Sequence, residues 1–175
     1  MKKISDESRV PAEPDLQEER LARLIRLAAR AFNRSLTLRL ATEGVTFGQW
    51  IFLRILWRGD GLSQRELSNR ANLTEPTAHT ALSRMEELGF IVRRNAEGNR
   101  RRQHAYLTER GWQLRDKLEP LAVEANDLAV AGLSDDEQKV LRKALTLMIH
   151  NLEHDERAAA KRGQKMPATR SQNAF

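Results

Sequence analysis

The fold of this chain is decided by residues 62–107, which read LSQRELSNRANLTEPTAHTALSRMEELGFIVRRNAEGNRRRQHAYL. Ser63 is followed three residues later by Glu66. This spacing lets each side chain bond an amide of a first helical turn that otherwise has no partner. The pair therefore predicts a short helix over residues 63–71.

A second helix is predicted after a short break. Thr74 is a favoured N-cap, and Pro76 is tolerated in the first turn because the amide that it lacks would have no partner there. Gly89 is a typical C-terminal stop, so this helix is predicted to end at Leu88. Apolar residues recur on one side of it and predict the face that packs on the core: Ala78, Ala81, Leu82 and Met85.

Two extended segments rich in arginine come next. Phe90–Arg94 and Arg101–Leu107 are separated by residues whose glycine and asparagines suit the left-handed backbone of a hairpin turn. Residues 93–104 hold five arginines and one glutamate. The pattern predicts a strongly basic β-hairpin.

Helix, break, helix and basic hairpin, in this order, predict a winged helix-turn-helix. The outer face of its second helix fits the major groove of double-stranded DNA, and the hairpin, or wing, reaches phosphates or the minor groove. A surface helix or solvated arginines explain each feature alone, but not the two in this order. The helix residues predicted to contact DNA are Thr74, Glu75, Pro76, Thr77, His79, Thr80, Ser83 and Arg84. Those predicted for the wing are Asn99, Arg100, Arg101 and Arg102.

Working outward, two helices are predicted on the N-terminal side. Asp15 with Glu18 has the capping-box spacing and predicts the start of a long helix that ends near Gly44. Thr46 with Gln49 predicts the start of a second helix. Because this second helix is almost entirely apolar, it is expected to be buried.

Two long helices are predicted on the C-terminal side, one capped by Thr108 and one opened by Ser134 with Glu137. Both carry apolar residues at nearly heptad spacing, which is typical of helices that pair. The fold class is therefore mainly α: a winged helix-turn-helix lobe on an all-helical dimerisation platform. The predicted organisation is a flexible arm at 1–14, the platform at 15–45 and 108–157, the DNA-binding lobe at 46–107, and a basic, disordered tail at 158–175.

Composition limits the class of protein. The formal net charge of +6 suits a protein that binds nucleic acid. The chain contains no cysteine, which excludes disulfides, thiolate metal sites and regulation by thiol oxidation. No apolar run approaches the length of a membrane span, so a cytoplasmic protein without membrane contact is expected. The basic tail is expected to be solvated, and extra phosphate contact is the alternative.

Several segments of the chain resemble the MarR family of transcriptional regulators. They are Thr46–Trp50, Leu62–Leu67, Leu82–Ile91, Leu107–Gly111 and Gly132–Glu137, and the resemblance covers residues 16–155 in unbroken order. It implies a homodimer that represses transcription from a pseudo-palindromic operator. It also implies that a small aromatic or anionic ligand weakens DNA binding.

A ligand pocket is predicted where the first two helices meet the start of the fifth. Aromatic rings would enclose an aromatic carboxylate there, and a guanidinium would pair with its charge. The alternative is that the arginines lie on a solvated face and the aromatic rings belong to the core. The candidates are Arg30, Arg34, Phe47, Trp50, Arg54, Trp57 and Trp112.

Classes of protein other than a DNA-binding regulator have weaker support in the sequence. His150 and His154 have the spacing of a helical metal site, but Asn151 stands where a zinc protease has glutamate, and no third ligand is evident. No enzyme, metal site or cofactor is therefore predicted. A protein-interaction or architectural winged-helix module without an effector is the remaining alternative, although it would not need the wing arginines.

Overall fold

The computed structural model describes residues 16–96 and 99–164; the side chains of Gln17 and residues 96–102 are outside the description. One turn of 3-10 helix at Leu16–Glu18 precedes the first long helix. The helices are α1 (Leu21–Thr42), α2 (Phe47–Arg58), α3 (Gln64–Ala71), α4 (Glu75–Glu87), α5 (Glu109–Ala129) and α6 (Asp135–Lys161). The strands are β1 (Leu62–Ser63), β2 (Ile91–Ala96) and β3 (Asn99–Leu107). The mainly α winged helix-turn-helix predicted from the sequence is confirmed.

Local capping explains where most of the helices begin. Thr46, Ser63 and Ser134 form complete capping boxes with the residue three positions later, and the side chains of Thr74 and Thr108 accept from the amide three residues on. These predicted starts are confirmed. Each cap satisfies an amide that the helix itself leaves without a partner.

The first helix departs from its prediction. α1 begins at Leu21 rather than at Asp15, and its N-cap is Arg20, whose side chain makes no capping hydrogen bond. Arg20 has no side-chain acceptor to offer. Asp15 itself lies outside the described residues.

The sheet has three strands in the order β1-β3-β2, all antiparallel. Leu62 pairs with Ala105, so the segment before α3 is tied to the second strand of the wing. This strand was not predicted, because two residues are too short to show a period of two. It fixes the wing to the helix-turn-helix as one unit.

The core lies inside this lobe. Side chains from α2, α3, α4 and the sheet form one cluster that continues onto the ends of α1 and α5. Fully buried members include Leu40, Phe52, Leu56, Leu67 and Leu118. The lobe and the adjoining ends of α1 and α5 therefore share one core.

The platform is much less covered. α6 has no buried residue at all, and α1 has only Leu40. α6 continues to Lys161, four residues past the predicted end of the platform at residue 157. The added turn includes Ala158–Ala160, and alanine is the best helix former. Within residues 16–96 and 99–164, no helix combines the length and apolarity that crossing a membrane requires.

Candidate nucleic-acid interface and ligand groove

The second helix of the helix-turn-helix, α4, is fixed on one side and open on the other. Ala78, Leu82 and Met85 are buried against the lobe. The opposite face is exposed and polar, and it carries the predicted contact residues Glu75, Pro76, Thr77, His79, Thr80 and Arg84. A braced helix with a polar outer face is the arrangement that enters a major groove.

Several of these side chains have local partners. Thr74 caps α4, and its hydroxyl lies 2.9 Å from that of Thr77. The Thr80 hydroxyl donates to the carbonyl oxygen of Pro76 at 3.1 Å. Each hydroxyl retains hydrogen-bonding capacity. Arg84 forms an exposed ion pair with Glu87 on its own helix, at 2.8 Å.

Ser83 differs from the other predicted contacts. It is half-buried, and its hydroxyl accepts a hydrogen bond from Arg93 at 3.3 Å. Glu86 accepts from the side chain of Arg93 at 2.7 Å and from the backbone amide of Arg93 at 3.0 Å. We call Ser83, Glu86 and Arg93 the wing clamp, because the hydrogen bonds among these three residues join α4 to β2. The Arg93 side chain is the main reason that the pKa of Glu86 lies below its ordinary value.

The wing, formed by β2 and β3, extends beyond the wing clamp. Asn99, Arg100, Arg101 and Arg102 have backbones in β3, while their side chains lie outside the described residues. The predicted phosphate contacts of these four residues therefore stay a prediction. The structure does describe the backbone of strand β3, which carries these four residues and pairs with both β1 and β2.

The wing leads into α5 through a close junction. Thr108 donates to the carbonyl oxygen of Gly89 at 2.6 Å and accepts from the amide of Gly111 at 3.1 Å. The indole N–H of Trp57 donates to the carbonyl oxygen of Gly111 at 3.0 Å. A Cβ on Gly111 would overlap the carbonyl oxygen of Phe90, so only glycine allows this approach. Sequence reasoning missed Gly111, although a glycine within a first helical turn was the available signal.

Three of the predicted pocket residues do line one groove. A groove of about 440 Å³ between α1, α2 and α5 is bordered by Phe47, Trp50 and Arg54, and we call it the ligand groove. Trp50 and Trp57 meet edge to face, with ring centroids 5.6 Å apart, and the Arg54 guanidinium lies 5.5 Å from the centre of the Trp50 ring. Aromatic surface beside a cation suits an aromatic anion.

The other predicted pocket residues lie elsewhere. Arg30 and Arg34 line a neighbouring groove of about 380 Å³ that shares Phe47 with the first. Trp57 lines a third groove with Arg54. Trp57 and Trp50 are 7% and 2% exposed and both belong to the core cluster, so each ring serves the core as well as a groove wall. Trp112 is exposed and is not among the residues lining these three grooves.

Two further arginines, which the sequence did not suggest, line this groove of about 440 Å³. Arg58 lies one helical turn after Arg54, which was a readable signal. Arg70 comes from α3 and meets the groove only through the packing of α3 beside α2. No acid is among the residues that line this groove.

Metal binding finds no support in the described part of the chain. Residues 16–96 and 99–164 contain no group of three or more metal-ligating side chains. His150 and His154 are exposed on α6. They are therefore two solvated histidines one turn apart.

Comparison with known proteins gives one consistent family. The family model described as MarR family matches residues 43–102. The HTH-type transcriptional regulator TtmR of Methylorubrum extorquens is 29% identical over 136 residues, which are 78% of this chain and 69% of TtmR. The HTH-type transcriptional regulator BilQ of Clostridium symbiosum is 30% identical over 102 residues, 58% of this chain and 71% of BilQ.

One solved relative is also informative. The MarR family protein Rv2887 of Mycobacterium tuberculosis, in complex with p-aminosalicylic acid, matches with a TM-score of 0.63 at 25% identity, over 74% of this chain and 98% of that one. The same protein in complex with DNA matches with a TM-score of 0.64 at 24% identity, over 75% and 98% of the two chains. Rv2887 is named a transcriptional repressor.

Proposed function

This chain belongs to the MarR family of transcriptional regulators, and we propose that it represses transcription as a homodimer that a small aromatic carboxylate releases from its operator. It is a DNA-binding regulator and not an enzyme. The observation that carries the proposal is the exposed polar face of α4, held rigidly by the buried Ala78, Leu82 and Met85. A regulator needs such a face to distinguish one operator from another.

The homodimer is proposed from the platform. α6 exposes Leu141, Leu145 and Leu152 at near-heptad spacing, and α1 exposes Leu21 and Leu27. Contiguous exposed apolar surface of this kind marks an interaction site in a folded protein. A second copy with the same stripes would cover it, and two lobes would then face one side of a duplex. The expected operator is pseudo-palindromic, with half-site centres about 10 base pairs apart.

The first experiment tests the wing. Arg101→Ala should weaken binding to all DNA sequences and lower the slope of log affinity against log salt by about one, as loss of one phosphate contact requires. Thr77→Ala or Thr80→Ala should instead change the preferred bases. Fluorescence anisotropy over a salt series measures both effects. Unchanged affinity and slope in Arg101→Ala would contradict the role of the wing.

The effector is proposed for the 440 Å³ groove. An aromatic ring can lie against Phe47 and Trp50, and Arg54 can pair with the carboxylate. Rv2887 has been crystallised with p-aminosalicylic acid, which is a ligand of this chemistry. The ligand acts only through different affinities for the DNA-bound and released arrangements, and a tenfold loss of operator occupancy needs about 1.4 kcal/mol of difference.

The second experiment separates the two neighbouring grooves. Arg54→Gln should abolish release by benzoate-like acids and leave DNA binding without ligand unchanged. Arg30→Gln, in the 380 Å³ groove, should keep the response and is the matched control. Release of labelled operator is the readout, with quenching of Trp50 as a second signal. If a broad set of aromatic acids changes neither, the chain binds its operator without this effector.

A further inference from the structure

A hydrogen bond crosses the helix-turn-helix between two polar side chains. Gln64, the first residue of α3, places its amide oxygen 3.1 Å from Nδ1 of His79 on α4. Gln64 is half-buried between the helices, whereas His79 is exposed on the outer face of α4. Gln64 was not among the residues expected to act in DNA binding. Its side chain is the hydrogen-bond partner of the His79 ring in the part of the chain that the structure describes.

We infer that Gln64 is a positioning residue: through its amide oxygen it favours the tautomer of His79 with the hydrogen on Nδ1, and thereby makes His79 a reader of an exocyclic amino group. The inference deepens the proposed function and depends on it, since it requires α4 to lie in the major groove. The target is one adenine or cytosine in each half-site.

The chemistry follows from the atom that Gln64 presents. In the arrangement shown, the amide oxygen of Gln64 faces Nδ1. An amide oxygen can only accept, so Nδ1 carries the hydrogen in this arrangement. In a neutral imidazole, Nε2 then has a free lone pair. Because Nδ1 is held by Gln64, Nε2 at the far side of the ring faces away from α3.

A lone pair on Nε2 discriminates between base edges. In the major groove, adenine offers the N6 amino group and cytosine the N4 amino group, and both are donors. Guanine and thymine present acceptors at O6, N7 and O4, which repel a lone pair. If the tautomer were free, Nε2 could carry the hydrogen instead and the ring would accept both kinds of base. Gln64 therefore contributes selectivity rather than affinity.

The experiment uses operator duplexes in which one hydrogen-bonding group of one base is removed. The operator is selected from a random pool, and the pair read by His79 is the one whose preference is lost in His79→Ala. At that pair, adenine is replaced by purine, or cytosine by 4-unsubstituted pyrimidinone, to remove the amino group alone. A second duplex removes a major-groove acceptor, such as the purine N7, at the same pair.

The wild-type chain should bind the duplex without the amino group about fivefold more weakly, which corresponds to loss of one neutral hydrogen bond. His79→Ala should not distinguish the two duplexes. Gln64→Met keeps the size of the side chain without its acceptor and should lose most of the discrimination, with affinity for non-specific DNA unchanged. Asn69→Ala, an exposed residue of the same helix, is the control and should discriminate like the wild type.

Two results would overturn the inference. One is full discrimination in Gln64→Met. The other is a wild-type loss that appears only when an acceptor is removed, because His79 would then be a donor. If His79→Ala and the threonine variants of α4 leave every base preference intact, the failure is that of the proposed function, since α4 would not read the groove.

Discussion

At the scale of single residues, the polar side chains of α4 serve both the fold and the proposed contact surface. The wing clamp illustrates this, because Glu86 lies on the same helix as the predicted contacts yet bonds Arg93 on β2. This carboxylate therefore adds a second tie between the wing and the helix-turn-helix, beside the pairing of β1 with β3. Arg93, which adds to the charge of the basic hairpin in the sequence, is engaged by this carboxylate.

Glu86→Gln tests the clamp through its dependence on pH. Hydrogen bonds from Arg93 lower the pKa of Glu86 below its ordinary value of 4.5. A lowered pKa means that the stabilisation is complete above pH 4.5 and is lost as the pH falls through the folded-state value. At pH 7 the variant should be less stable by about 1 kcal/mol, as for loss of a charge-assisted hydrogen bond at a partly exposed site.

Melting temperatures from pH 7 to pH 3 measure this effect. The difference between wild type and Glu86→Gln should shrink below pH 4.5. Glu87→Gln, which breaks only the exposed pair with Arg84, is the control and should change little at any pH. A difference that is constant across the range would mean that the carboxylate charge of Glu86 does not hold the wing.

At the scale of elements, the junction between lobe and platform is a close contact, because a Cβ on Gly111 would overlap the carbonyl oxygen of Phe90. The start of α5 lies against the end of α4, and it is held by Thr108 from one side and by Trp57 from the other. Trp57 also touches Trp50, which borders the ligand groove. A ligand there would lie two side chains away from the segment that joins the wing to the platform.

Gly111→Ala tests how tight this junction is. The added methyl group would overlap the Phe90 carbonyl oxygen and contact Leu107, so we expect at least 1–3 kcal/mol of destabilisation, as for overpacking. Gly48→Ala is the matched control, because a methyl group there meets nothing within 4 Å. In the first turn of α2 this change should leave stability equal or slightly higher, by up to about 1 kcal/mol. Urea unfolding of both variants decides the point, and two equal results would contradict a close junction.

At the scale of the whole molecule, the distribution of apolar surface is uneven. The lobe has a continuous buried core, whereas α6 has no buried residue and exposes Val140, Leu147 and Ile149 besides its heptad leucines. A helix of 27 residues in a protein gains most of its stability from packing an apolar face. The platform is therefore expected to gain its stability from a second copy.

Thermal unfolding should accordingly depend on protein concentration. If folding and association are one step, a tenfold rise in concentration should raise the melting temperature by about 2 °C. Leu145→Glu should abolish this dependence and give a monomer or an unfolded platform in sedimentation. Lys143→Glu, which lies on the other side of α6, should behave like the wild type. A folded wild-type monomer at micromolar concentration would contradict the homodimer.

The sequence by itself determined the order of the six helices and of the two wing strands, most helix starts and the two faces of α4. The capping boxes at Thr46, Ser63 and Ser134 could be read because each involves residues only three positions apart. The inner face of α4 could be read for the same reason, since residues three and four apart share one side of a helix. α1 shows the limit of this reasoning, because a suitable spacing at Asp15 did not make the helix begin there.

Only the tertiary structure decided which distant residues meet. Trp57 and the Gly111 carbonyl oxygen are 54 positions apart, and Asp60 accepts from the amide of Leu107 across 47. The entry of Arg70 into the ligand groove and the bond between Gln64 and His79 are of the same kind. Such pairs leave no periodic trace in the chain, because they depend on how whole helices pack against one another and not on the spacing within any one of them.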